Sequence, residues 1–157
     1  MKTTTPLIRD TYIGMIKNSV GSNMFRNCYV LIDEVKKDAT EDGRISCAFF
    51  ASSILVICKL ISEVHATVAS TVLDMKKNNW LEIEGGPDLQ IGDVIIWEEA
   101  FVGNSANTHI GFYIGDDQAI SNSYNKQTPQ IHHITYGTNE DSQPKRKIDQ
   151  VWRYRFE

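Results

Sequence analysis

The stretch from Cys47 to Ile61 is apolar on nearly every face of a helix, interrupted only by Ser52, Ser53 and Lys59. A helix with no polar face has nowhere to sit but the centre of a domain, enclosed by other elements. It is too short and too interrupted to cross a bilayer, which takes about 20 apolar residues. The chain of 157 residues suits a single domain spanning 1–157, long enough to bury a core without metal or disulfide support.

Around that helix the periodicity divides the chain in two. On the N-terminal side, Thr11 to Ser19 reads as a short helix. Residues 25–35 lean towards strand, and Asp38 to Gly43 is a polar loop delivering the chain to the central helix. After it, His65 to Asn78 carries Val68, Val72 and Met75 on one stripe and reads as another helix. From Gly85-Gly86-Pro87 onward the pattern becomes that of strands: Asp93–Glu98, His109–Ile114, Ala119–Ser123, Ile131–Tyr136 and Gln150–Phe156. The turn at Gly115-Asp116-Asp117 makes the second and third a hairpin. Helices first and an antiparallel meander afterwards predict an α+β domain, with N-terminal helices packed on one face of a C-terminal sheet of about five strands. Residues 101–108 read as a loop beside the site, and 139–147 as a second surface loop.

Composition narrows the function classes. A net charge of −4 argues against non-specific nucleic-acid binding, although Lys145, Arg146, Lys147, Arg153 and Arg155 make the last segment basic; these read as solvated strand edges. Met1 to Pro6 is not followed by an apolar core and a small-residue cleavage site, so the expectation is cytoplasmic synthesis without a secretory signal, any release using a non-classical route. No membrane or nucleic-acid partner and a monomeric state are expected. The three cysteines, Cys28, Cys47 and Cys58, cannot all pair. On one helix Cys47 and Cys58 would lie roughly 16 Å apart at about 1.5 Å per residue, too far to bridge. Four histidines without Cys-x-x-Cys or His-Glu-x-x-His offer no zinc set, and no cofactor or metal is predicted.

Two of these residues stand at the starts of their elements. Cys47 follows Gly43-Arg44-Ile45-Ser46 where the central helix should begin, and His109 opens the strand His109-Ile110-Gly111-Phe112-Tyr113-Ile114-Gly115-Asp116. Unpaired N–H groups and the positive end of the helix dipole favour a thiolate at the first position, and an imidazole could exchange its proton. Taken alone, a cysteine in an apolar helix is more often a buried structural residue, a reading that Cys28 and Cys58 keep. His65 reads as a capping or packing residue, Asp93 as a turn-shaping one, and Trp80 and Trp97 as core or groove walls.

The order of a cysteine at a helix start, then Gly92-Asp93-Val94-Ile95-Ile96-Trp97, then the His109 strand resembles the NlpC-like cell-wall cysteine peptidases and the CHAP amidases, both relatives of papain. The resemblance spans roughly residues 43–125. It implies a papain-like core, Cys47 as nucleophile, His109 as its base, no cofactor, and a peptide or peptidoglycan fragment as substrate. The chain departs from that pattern in having Ser46 before the cysteine and Ala48-Phe49-Phe50 after it. Ser46 is still suited to cap the helix. The family also places a polar residue twelve positions beyond the histidine to orient the ring, and here that position is Ser121, a weak partner. Asn122 and His133 are the favoured orienting residues, with Ser121 and His132 the alternatives: Asn122 requires a bulge in the hairpin, and His132 and His133 put one imidazole on each sheet face.

The reaction expected from these residues is amide or peptide hydrolysis through a thioester. A thioester captured by another nucleophile would make the same core an acyltransferase or deamidase, and loss of the chemistry would leave a binding module.

Overall fold

The computed structural model describes residues 2–84 and 88–157, so the change of periodicity at Gly85-Gly86-Pro87 lies outside the described residues. The elements are α1 (Ile8–Asn18), β1 (Tyr29–Ile32), β2 (Val35–Asp38), α2 (Cys47–Ile57), α3 (Val68–Lys77), β3 (Leu81–Glu82), β4 (Val94–Val102), β5 (Ser105–Gly115), β6 (Gln118–Asn122), β7 (Pro129–His133) and β8 (Ile148–Arg153). Among the described residues the fold is α+β, with three helices and an antiparallel sheet of six strands in the order β3-β8-β4-β5-β6-β7. The sixth strand is the two-residue β3, too short to leave a periodic trace. The run β4-β5-β6-β7 is the expected meander, but β8 returns to pair with the far edge of β4.

The central helix is where the apolar wheel put it. In α2, Ala48, Phe50, Ala51, Ile54 and Leu55 are buried together with Val94, Ile96, Ile110, Phe112 and Ile120 from the sheet. Phe50 meets Phe25 and Phe112 edge to face, at 5.0 and 5.5 Å between centroids. The helix ends at Ile57, short of the expected Ser62. Leu60 N–H reaches Leu55 O, Lys59 N–H reaches Val56 O, and Lys59 takes φ +58°, the Schellman arrangement. That stop normally announces itself as glycine; a lysine in the left-handed region hides it.

The expected start of α3 at His65 also moves, to Val68, because Thr67 caps the helix by accepting from Ser70 N–H. His65 instead bonds the buried Asp74 carboxylate at 2.8 Å, and Asp74 also accepts from Ser62 and Glu63 N–H. This carboxylate therefore closes the α2–α3 connection, and its donors hold its pKa below the ordinary carboxylate value against the opposing effect of burial.

The Gly92-Asp93 motif is structural. Gly92 has φ +99°, a Cβ there would lie 3.1 Å from the Tyr12 ring, and its carbonyl accepts from Tyr12 Oη at 2.8 Å. Asp93, 2% exposed, accepts from Gln90 N–H and holds Arg153 through both Nε and Nη2 at 2.8 Å. Arg153 is thus no solvated edge residue; it fastens β8 to the start of β4. Removing one member of a buried ion pair strands the other charge, so Asp93→Ala should destabilise the fold by about 3–5 kcal/mol. The double variant Asp93→Ala/Arg153→Met should recover much of that loss. Urea unfolding of the two proteins checks both expectations.

Candidate active site

Residue alternation along β4 decides which side chains meet. Val94 and Ile96 face the helices, while Ile95 and Trp97 face the opposite side with Ala119, Tyr113, Ile134 and Tyr136. His109 pairs with Trp97 and Ser121 pairs with Gly111, so both side chains share that second face. His132, opposite Ala119, joins them. Trp97, fully buried and donating its indole N–H to Ile134 O, is the floor on which the His109 and His132 rings rest, each 5.4 Å away. Of the two expectations for Trp97, core or groove wall, the structure gives the core one.

Cys47 reaches this cluster from the helix-covered side. The β5–β6 pairing ends at Gly111 and Ser121, so β5 has an open edge at His109 and Ile110, and the start of α2 abuts it. The backbone N–H groups of Ile110, Ala48 and Cys47 all favour the charged form of Sγ. Cys47, His109, Ser121, His132, Tyr136 and Arg146 all line one cavity of about 860 Å³. Ser46 does not cap the helix as expected. Its hydroxyl donates to Phe25 O and no side-chain cap bond forms, which leaves the first-turn N–H groups to the site.

Ser121 is the residue that holds the histidine. His109 Nε2 lies 2.8 Å from Ser121 Oγ, and Ser121 Oγ lies 2.7 Å from His132 Nε2 and 3.2 Å from Tyr136 Oη. Neither of the two favoured residues bonds to His109, although Asn122 also lines the cavity. Asn122 points to the helix side, where its amide donates to Gly43 O at 2.7 Å and steadies the loop before Cys47. No extra residue separates Gly111–Ser121 from the adjoining β5–β6 pairs; the register shift lies at Tyr113 to Gly115. His133, exposed, turns its Nδ1 to Thr135. A single-residue step along a strand reverses the face, and that suffices to exchange Asn122 for Ser121 and His133 for His132. Gly111 permits the close approach, since a Cβ there would meet Ile120 O at 2.6 Å and Ser121 Cβ at 2.7 Å.

The hydrogen-bond chain sets the tautomers. His132 Nδ1 lies 2.8 Å from His133 O; a carbonyl only accepts, so Nδ1 carries the proton and Nε2 accepts. Ser121 must then donate to His132, and its oxygen accepts from His109 Nε2–H. The remaining His109 nitrogen, Nδ1, is left with its lone pair. It has no hydrogen-bond partner among the described residues, and it is the atom able to take a proton from a thiol in the same cavity. Tyr136 stacks on His132 at 4.1 Å and encloses the chain of bonds.

Electrostatics keep both Cys47 and His109 neutral at rest. Burial pushes the Cys47 thiol above its ordinary value, outweighing the N–H groups and the Arg146 charge that favour thiolate. The expected thiolate at the helix start is therefore replaced by a thiol. Burial, then the Arg146 and His132 charges, lower His109 from 6.5 to about 3. The unfolded chain thus binds this proton first as pH falls. The stability gained from a neutral His109 is complete above 6.5 and drains away between 6.5 and about 3. His109→Gln should flatten the loss of folding free energy over that window relative to the parent, as measured by urea unfolding at a series of pH values.

Two residues of the site were not singled out by the sequence reading. Tyr136 stands at the end of an expected strand, and Arg146 belongs to a basic segment that reads as solvated strand edges. Arg146 is half-buried: Nε and Nη2 donate to Glu98 O, and Nη2 also donates to Asn107 O at 2.7 Å. Glu98 lies where the register of β4 is irregular, between Trp97 and Ala100. The segment 101–108, expected as a loop, instead extends β4 and β5 into a hairpin turning at Gly103-Asn104, and it carries Phe101, 82% exposed, on the cavity rim.

Among the described residues no helix is long and apolar enough to cross a membrane, and no cluster of histidine, cysteine and acidic side chains is arranged to hold a metal. Compared with protein-family models and with curated proteins, the chain matches none.

Proposed function

We propose that this chain is a papain-like cysteine hydrolase that cuts amide or peptide bonds, of the kind found in peptidoglycan peptides, through a thioester. The observation that carries the proposal is the coincidence, in one cavity, of Cys47 at the first position of α2 and a His109 whose free nitrogen is fixed as a base by Ser121 and His132. A histidine used only for packing needs no such tautomer control.

The neutral resting pair defines the order of events. As Sγ attacks the carbonyl carbon, its proton passes to His109 Nδ1, and the carbonyl electron pair moves onto oxygen, met by N–H groups at the start of α2. The tetrahedral intermediate collapses, the C–N bond breaks, and His109 gives its proton to the leaving nitrogen. Water then attacks the thioester, losing a proton to His109, and the C–S bond breaks to release the acid and restore the thiol. Low basicity of His109 is suited to this cycle, because an imidazolium next to Arg146 is short-lived and returns its proton readily.

The test is incubation of the protein with purified peptidoglycan fragments and mass spectrometry of the products. A product heavier by one water across a single amide, absent without enzyme, supports the reading. Intact fragments together with a Cys47 that resists alkylation would overturn it. Products carrying an added amine in place of water would show that the same thioester serves acyl transfer.

A further inference from the structure

The cavity carries a charge pattern that the hydrolytic cycle does not use. Its lining includes Arg44, Lys145 and Arg146 and contains no aspartate or glutamate, in a chain whose net charge is −4. Arg44 reaches Glu41 at 3.7 Å, but Arg146 forms no ion pair with any described carboxylate. Two of its nitrogens are committed to the Glu98 and Asn107 carbonyls, which hold the guanidinium plane rigid. Nη1 has no partner among the described residues. A half-buried cation is costly unless something offsets it; the nearby Glu98 charge acts on Arg146, but its carboxylate accepts from Lys147 N–H rather than from the guanidinium, and the two backbone carbonyls supply no charge. Protein anchoring on one edge and an open nitrogen on the other is the arrangement of an anion receptor, and a planar guanidinium suits carboxylates.

Resting on the hydrolase reading, we infer that the cleft selects substrates bearing a carboxylate close to the scissile amide, and that Arg146 is the residue that binds it. Arg146 lines the same cavity as Cys47 and His109, and its charge acts on both, so a carboxylate bound to it shares the cleft with the reacting bond. Arg146 is in this sense a specificity-determining residue.

The test compares two alkylating reagents of equal size, iodoacetate and iodoacetamide, at Cys47, with N-acetylcysteine as the free-thiol reference. The expected result is an iodoacetate-to-iodoacetamide rate ratio at least tenfold above that of the reference, falling to the reference value in Arg146→Gln and to an intermediate one in Arg146→Lys. Because Arg146 also ties β4 to β5, a measurement on the unaltered protein stands beside the variants: glutarate should protect Cys47 from iodoacetamide, and glutaramide should not. A reference-like ratio without glutarate protection overturns the inference while leaving Cys47 an accessible thiol. If Cys47 resists both reagents the hydrolase reading fails instead. In that case an NMR titration with glutarate decides the anion site, an unmoved Arg146 Nε–H resonance overturning it.

Discussion

Cys47→Ala will reduce turnover of any amide substrate to the uncatalysed background while changing folding stability by less than about 1 kcal/mol. The first expectation follows because every covalent step passes through Sγ, and the neighbouring Ser46 hydroxyl is buried and committed to Phe25 O. The second follows from position: Cys47 opens the helix, is only partly buried, and alanine is the best helix former. Cys47→Ser should be equally inactive. A hydroxyl is far less acidic than a thiol, and a histidine that titrates near 3 is too weak a base to activate it. Product analysis with peptidoglycan fragments, paired with urea unfolding, separates loss of chemistry from loss of fold. Retained turnover in Cys47→Ala would remove the mechanism altogether.

Ser121→Ala should lower kcat by about a hundredfold or more with KM little changed, because the hydroxyl never touches substrate. Its loss leaves His109 Nε2–H without an acceptor in a buried setting, and the ring is then free to turn or to take the other tautomer, with its proton facing the thiol. His132→Ala should slow turnover less, since Ser121 can still accept from His109 while donating elsewhere. The double variant should be no slower than Ser121→Ala, as expected when residues act as one unit. His133→Gln should remain within about twofold of the parent, because only the backbone carbonyl of that residue enters the relay and exposed side chains away from a site have small effects. Steady-state kinetics on the four variants would distinguish this relay from one built on His133: a large loss in His133→Gln together with a normal Ser121→Ala would contradict it.

Local rules carried a definite part of this structure. An all-round apolar helix had to be central, and α2 is. Alternating apolar residues after Asp93 had to form a sheet, and the helices cover one of its faces. The Gly-Asp motif marked where β4 begins and the glycine of His-x-Gly where β5 and β6 approach closely, and the reasons are visible in the bonds of Gly92 and Asp93 and in the contacts of Gly111. Each of these depends on a residue and its near neighbours.

Register and long-range pairing were beyond the same rules. Strand alternation has a period of two, so an error of one residue transfers a side chain to the other face; Asn122 and His133 were favoured on chemistry where Ser121 and His132 have the geometry. The return of β8 to β4, and with it the placing of Arg146 among the site residues, depends on contacts between segments some fifty residues apart, for which no local signal exists. The protonation states also reversed. Position at a helix start favours a thiolate, but burial is a property of the assembled domain and here it outweighs the local field.

The sequence by itself determined the α+β class, the central helix and the placing of Cys47 at that helix's start, all local matters; His109, expected to open its strand, lies inside β5, whose start at Ser105 the polar residues before it conceal. Only the tertiary structure decided that Ser121 and His132 set the tautomer, that Arg146 faces the cavity, and that both ends of the Cys47–His109 pair are neutral. Those three depend on which faces meet and how much water the meeting excludes, quantities that belong to no single segment of the chain.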